Sequence, residues 1–145
     1  MRGRCPTKDV LPYWVAQIVA SLVAALAVSC LNPQASVQPL TIRIGPASLA
    51  EFLFTFALVY VVLNSATAKA TSGNSFYGLA IGFTVLTGAA AVGAISGGAF
   101  NPAVAIGISA MGISPWPNLW VYLLAELAAA LVAATAFRWI NPEDK

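Results

Sequence analysis

The chain has 145 residues, 59% of them hydrophobic and only 8% charged, with a formal net charge of +2. With a mean hydropathy of +0.82 it has too little charge to cover a water-soluble surface, and a bilayer is the expected solvent. So weak a net charge gives no basis for nucleic-acid binding, and the absence of histidine excludes His-based triads, His metal sites and His pH switches.

The first apolar run, about Val10 to Leu31, follows a basic leader of Arg2, Arg4 and Lys8. The leader fits a secretory signal, but the run is long for the apolar part of one and no small-residue cleavage pattern precedes a soluble domain. It reads as a membrane span. Cys5 and Cys30 lie at opposite ends of this helix, roughly 37 Å apart at ~1.5 Å per residue. They cannot pair with each other, so no structural disulfide, zinc site or cofactor is expected. The connection Asn32–Pro46, with Pro33, Pro39 and Pro46, reads as an ordered loop.

The second run, Ala47 to Ala68, carries Glu51 near its outer end. A short polar turn, Lys69–Ser75, leads to the third run, Phe76 to Ile95, so these two helices are predicted to be antiparallel neighbours. The fourth run, Pro117 to Ile140, carries Glu126 in its interior. Each run reaches about 20 residues, enough to cross ~30 Å of hydrocarbon as a helix. Four spans put both termini on one side, with Arg2, Arg4, Lys8, Lys69, Arg138 and Lys145 beside them and Arg43 alone opposite. The positive-inside rule makes the terminal side cytoplasmic, in a plasma (inner) membrane. Tyr13, Trp14, Trp116, Trp120, Tyr122 and Trp139 lie near span ends, where an aromatic belt would place them.

Residues 96–112, between the third and fourth spans, differ from the rest. Ser96-Gly97-Gly98-Ala99-Phe100 is a glycine-rich approach to Asn101-Pro102-Ala103. Asn is a good N-cap and Pro is favoured at the first helical position, while Gly112 and Pro115 supply a stop. The predicted helix of about ten residues is ~15 Å long, half a bilayer, with both flanks on the extracellular side. Asn-Pro would cap any helix; the half-bilayer length, the glycines and the flanking spans make this a re-entrant segment. The expected architecture is all-α, four transmembrane helices plus one re-entrant half-helix. Its loop must be buried in protein or line water. Beside a pore, the positive N-terminus of the half-helix disfavours cations and protons, and loop carbonyls with the Asn101 amide offer hydrogen bonds to neutral solutes. No redox, hydrolytic or phosphate chemistry is needed, and the chain is not expected to be an enzyme.

At these residues the sequence resembles the aquaporin family, also called the major intrinsic proteins. Ser96 to Val104 resembles the family's loop-plus-half-helix signature, and Leu49-Ala50-Glu51-Phe52-Leu53-Phe54-Thr55-Phe56 the start of the helix that opens each family half. Tyr13-Trp14-Val15-Ala16-Gln17 resembles the family's third helix and Ala80-Ile81-Gly82-Phe83 its fifth. The resemblance implies a right-handed helical bundle of two inverted halves, each with three spans and one Asn-Pro-Ala half-helix. This chain would supply the third to sixth spans, with Met1-Arg2-Gly3-Arg4-Cys5-Pro6 similar to the connection after the first half-helix. The first two spans and first Asn-Pro-Ala motif are then missing, through truncation or because a partner chain completes the pore. The resemblance also implies a homotetramer for the full-length parent.

Three positions depart from the family's narrow filter. Val104 stands where an Arg usually follows the second Asn-Pro-Ala; Ala89 stands where water-selective members have His; and the loop position three residues before Asn101 is Gly98. Together they imply a wider, less polar constriction that admits small neutral solutes such as glycerol as well as water. Val after Asn-Pro-Ala is the usual first-half pattern, but the Tyr13–Gln17 helix ahead of Glu51 favours the second half. By resemblance Glu51 accepts hydrogen bonds from the re-entrant loop, supported by Ser96 and Gly97; the plainer alternative is a carboxylate in interfacial water.

Glu126 has no role in the family pattern and is expected to face the bundle, protonated or hydrogen-bonded. Gly82, Gly88 and Gly93, with Ala125, Ala128, Ala129 and Ala133, are expected to permit close helix packing, and Gln17 to bond across helices. Two other functions fit parts of the sequence. One is a four-span proton-coupled exporter using Glu126 or Glu51; the other is an assembly subunit that transports nothing itself.

Overall fold

In runs this apolar the backbone is nearly the only polar matter, and within lipid a helix pairs that backbone without outside help. The computed structural model, which describes residues 5–144, is accordingly all-helical among those residues. Helix α1 runs Thr7–Leu31, α2 Ile44–Val62, α3 Tyr77–Ser96, α4 Pro102–Ala110 and α5 Leu119–Ile140. Four stretches are long and apolar enough to cross a membrane: Thr7–Leu31, Ile44–Thr67, Tyr77–Ser96 and Trp116–Ile140. Arg2, Arg4 and Lys145 of the orientation argument, and Met1–Arg4 of the proposed connection, lie outside the described residues.

Helix α2 does not end cleanly. Leu63–Thr67 widen into a π turn, where the hydroxyls of Ser65 and Thr67 donate back to the carbonyls of Val61 and Leu63 at 2.7 and 2.6 Å. Asn74 then organises the turn into α3: its Nδ2 donates to the Ser65 carbonyl at 2.7 Å, and its Oδ1 accepts from the Phe76 and Tyr77 amides at 3.1 and 3.0 Å. The C-terminal segment folds back onto this turn. Both Asp144 carboxylate oxygens accept from the Lys69 amide, at 3.0 and 3.2 Å, and Lys69 Nζ donates to the Glu143 carbonyl.

Helix α2 packs against both α3 and α5, α4 against α5, and α1 chiefly against α4. The α5 face that makes this packing is small and periodic: Ala125, Ala129 and Ala133 are buried with Val121, Tyr122 and Phe137. Ala128, expected among the packing residues, is exposed. The glycines also divide. A Cβ at Gly88 would lie 2.6 Å from the Phe100 ring and 2.8 Å from Phe54, whereas Gly82 and Gly93 face open space. At Gly107 a Cβ would come 3.3 Å from Ser21 Cβ, which marks the close approach of α1 to α4. Gln17 is exposed and makes no hydrogen bond across helices among the described residues, so its expected interhelical role is not realised.

Gly88→Ala should therefore lower stability by ~1–3 kcal/mol through overpacking. Gly82→Ala on the same helix should be neutral or stabilising by ~0.5–1 kcal/mol, because alanine is the better helix former. Thermal melts of the two variants in detergent test this, and equal melting temperatures would contradict the close approach.

Candidate functional site

Helix α3 ends because Gly97 turns left-handed, with φ +93°, while its amide still donates to the Gly93 carbonyl at 2.8 Å. Gly98 follows at φ +66°, and Phe100 adopts φ +52°, the sole left-handed non-glycine residue among those described. For a residue with a bulky side chain that backbone costs ~1–3 kcal/mol and persists only where the surroundings impose it.

A buried carboxylate imposes it here. Glu51 of α2 is 0% exposed, which removes the interfacial-water alternative. Its Oε1 accepts from the Ser96 hydroxyl at 2.6 Å and the Ala99 amide at 3.1 Å, and its Oε2 from the Phe100 amide at 2.7 Å. Each buried donor would cost ~1–3 kcal/mol if left unpaired, so the three bonds together offset the strain at Phe100. The Phe100 ring is buried against Phe54, centroids 5.5 Å apart. Ser96 also accepts the Gly98 amide at 3.2 Å, so Ser96 and Gly97 shape the loop at its start.

After Phe100 the chain extends. Asn101, at φ −158°, caps α4 by accepting the Ala103 amide on its Oδ1 at 2.8 Å, and Pro102 takes the first helical position. With Oδ1 taken up by this cap, Nδ2 has two donors and makes no hydrogen bond among the described residues. The nine residues of α4 make a helix about 13 Å long. It stops where Gly112 turns to φ +75° and the amides of Ile113 and Ser114 both donate to the Ile108 carbonyl, at 2.9 and 3.2 Å. The Leu40 amide donates to the Ile113 carbonyl at 2.8 Å, fastening the α1–α2 connection to this exit.

Tyr122 is a support of this segment that the sequence concealed. Rather than joining an aromatic belt, it is 0% exposed. Its hydroxyl donates to the Ser96 carbonyl at 2.5 Å and accepts from the Ser114 hydroxyl at 3.1 Å. One side chain of α5 thus holds both the entrance and the exit of the loop and half-helix. The clue available was its spacing, three and four residues before the buried Ala125 and Glu126.

The remaining site residues differ in exposure. Ala103 is buried, Val104 is 42% exposed and Ala89 is exposed. Gly98 lies against Ala89, whose Cα would be 3.4 Å from a Cβ placed there. The loop backbone is polarised: Glu51 consumes the Ala99 and Phe100 amides, while the carbonyls of residues 97–100 accept no hydrogen bond among the described residues. The site therefore offers carbonyl acceptors that no protein donor takes among the described residues, the Asn101 side-chain amide and the positive end of α4. No group of three or more His, Cys, Asp or Glu among the described residues is placed to hold a metal, and Cys5 and Cys30 are free and exposed.

The sequence profile of the family described as Major intrinsic protein matches residues 1–137. Aquaporin TIP1-2 of Zea mays is 35% identical over 140 residues, which cover 93% of this chain and 55% of the relative. Glycerol uptake facilitator protein-like 6 of Lactiplantibacillus plantarum is 35% identical over 150 residues, 97% of this chain and 69% of the relative. Probable aquaporin AqpM of Archaeoglobus fulgidus is 34% identical over 152 residues, 95% of this chain and 61% of the relative. The chain spans about half the length of the curated plant relatives it matches. No solved structure matches it significantly.

Removing the carboxylate with Glu51→Leu strands three buried donors, each costing ~1–3 kcal/mol, and frees Phe100 from its left-handed backbone. Tyr122→Phe removes one hydroxyl and two bonds, an expected loss of ~1–3 kcal/mol. Melting temperatures should fall in the order wild type, Tyr122→Phe, Glu51→Leu. Hydrogen exchange at the Ala99 and Phe100 amides should accelerate in Glu51→Leu; unchanged exchange there would refute the clamp.

Proposed function

The chain belongs to the major intrinsic protein family, and on that premise we propose that it forms half or more of a passive transmembrane channel for water and small neutral solutes. The observation that carries this reading is the polarised loop ahead of α4. Its Ala99 and Phe100 amides are tied down by Glu51 while the carbonyls of residues 97–100 accept no hydrogen bond among the described residues, next to a helix N-terminus and the Asn101 side-chain amide. A hydroxyl-bearing neutral solute can exchange its water hydrogen bonds for these groups, while the positive helix end repels cations and protons. Transport of this kind breaks no covalent bond.

The pore motif is Asn101, Pro102 and Ala103, and Ala89, Gly98 and Val104 are the constriction positions. Three small or apolar groups present neither charge nor bulk, which supports passage of glycerol-sized polyols as well as water. The name of the Lactiplantibacillus plantarum relative, a glycerol uptake facilitator protein, fits that breadth. The exporter alternative requires a proton site in contact with water, and Glu51 and Glu126, at 0% and 1% exposed, are both sealed. The family's remaining half, in the same polypeptide or a partner, completes the pore, and the completed protein is a tetramer. Both termini face the cytoplasm of a cell whose plasma (inner) membrane holds it.

Stopped-flow swelling of proteoliposomes tests this. The chain reconstituted with the complementary half should raise water and glycerol permeability above that of empty vesicles. No increase for any small neutral solute would sink the channel reading, and equal conduction by the chain alone would sink the need for a complement. Val104→Arg in the completed protein should narrow the constriction and cut glycerol passage more than water passage. Equal loss of both would remove Val104 from the constriction.

A further inference from the structure

Among the described residues, the buried side-chain atoms without a hydrogen-bond partner are the Thr55 and Ser109 hydroxyls and both carboxyl oxygens of Glu126. Glu126 is the exceptional case. It is 1% exposed, one helical turn beyond Tyr122, on the α5 face that packs against α2. Neither oxygen is hydrogen-bonded in this structure, and the α2–α5 packing brings the carboxyl within electrostatic reach of the Glu51 carboxylate and the Asn101 backbone amide. Nothing in the channel reading uses it.

An ionised carboxylate with no donor, buried beside a second carboxylate, is among the costliest arrangements a protein interior can hold. Counting lone pairs gives the way out. Each carboxylate oxygen offers two acceptor positions; Glu51 Oε1 takes two donors and Oε2 takes one. One acceptor position on Oε2 stays open, and a carboxylic acid is the donor that fits it. The Asn101 amide, next along the loop after the two that Glu51 holds, donates no hydrogen bond to Glu51 and none to Glu126 in this structure, although it lies within electrostatic reach of the Glu126 carboxyl.

We propose that Glu126 and Glu51 hold one proton between them as a buried acid–carboxylate pair, with the Glu126 hydroxyl donating to Glu51 and its carbonyl turned to the Asn101 amide. Glu126 is then a positioning residue: it extends the clamp from the amides of Ala99 and Phe100 to that of Asn101 and fixes the start of α4. The single negative charge left on the pair stands at the positive end of that helix, where the dipole stabilises it. The pair concerns how the loop is held, so its tests read the chain itself and do not depend on permeation.

Infrared spectra of the detergent-solubilised chain at neutral pH should contain a protonated-carboxyl C=O band that shifts in D2O and is lost in Glu126→Gln. The band should move when Glu51→Gln replaces its partner. A spectrum identical in Glu126→Gln, or a band indifferent to Glu51→Gln, overturns the pair. Glu126→Gln retains an N–H donor for Glu51 and should keep Ala99, Phe100 and Asn101 protected from hydrogen exchange. Glu126→Leu should exchange ~tenfold faster there, the equivalent of one lost hydrogen bond. Equal exchange in the Gln and Leu variants would reduce Glu126 to a space-filling group; should the Leu variant not fold, the infrared comparison decides alone.

Discussion

A backbone that leaves helical geometry inside an apolar bundle must find partners for its amides and carbonyls, and an acceptor-only side chain can serve just one of those two kinds. Glu51 is such a group. By taking the Ala99 and Phe100 amides and the Ser96 hydroxyl, it satisfies the donors of the loop and leaves the carbonyls to whatever lies on the other side. The left-handed backbone at Phe100, the extended Asn101 and the start of α4 at Pro102 all follow from that fixed point. A neutral donor–acceptor side chain in the same place would give the loop no such direction.

The load of buried polar groups is unevenly shared. Helices α2 and α5 carry Glu51, Thr55, Tyr122 and Glu126, whereas α1 buries Ala25 alone and α3 buries Gly88 and Ser96. Polar side chains inside a helix bundle set register, because each must meet its partner to offset its desolvation. Small residues set distance: Gly88 admits the Phe100 and Phe54 rings, and Gly107 admits Ser21. The two devices act together at the loop, where a misplacement of α5 would break the Tyr122 bonds to Ser96 and Ser114 at once.

The four long helices were legible in the sequence because apolar length is a direct statement about a bilayer. The start of α4 was legible as well, since Asn101-Pro102 carries its own cap chemistry, and α4 begins at Pro102. Side-chain direction was not. An amphipathic soluble helix announces its inner face by polarity, but α1, α3 and α5 are apolar all round, so nothing separates lipid-facing positions from packed ones. Hence Tyr122 looked like a belt residue, Gln17 like an interhelical bond, and Gly82 and Gly93 like Gly88. The left-handed Phe100 was invisible for another reason: its conformation is imposed by Glu51, a residue 49 positions away, not by its neighbours.

The return of the last residues onto the α2–α3 turn gives the bundle a second fastening. Asp144 holds the Lys69 amide just beyond the far end of α5, while Tyr122 holds both ends of the loop and half-helix near its beginning. A beam pinned at both ends resists twist and tilt far better than one pinned at its middle. Helices α2 and α5 therefore behave as the frame of the molecule, and whatever compliance it has is left to α1 and α3.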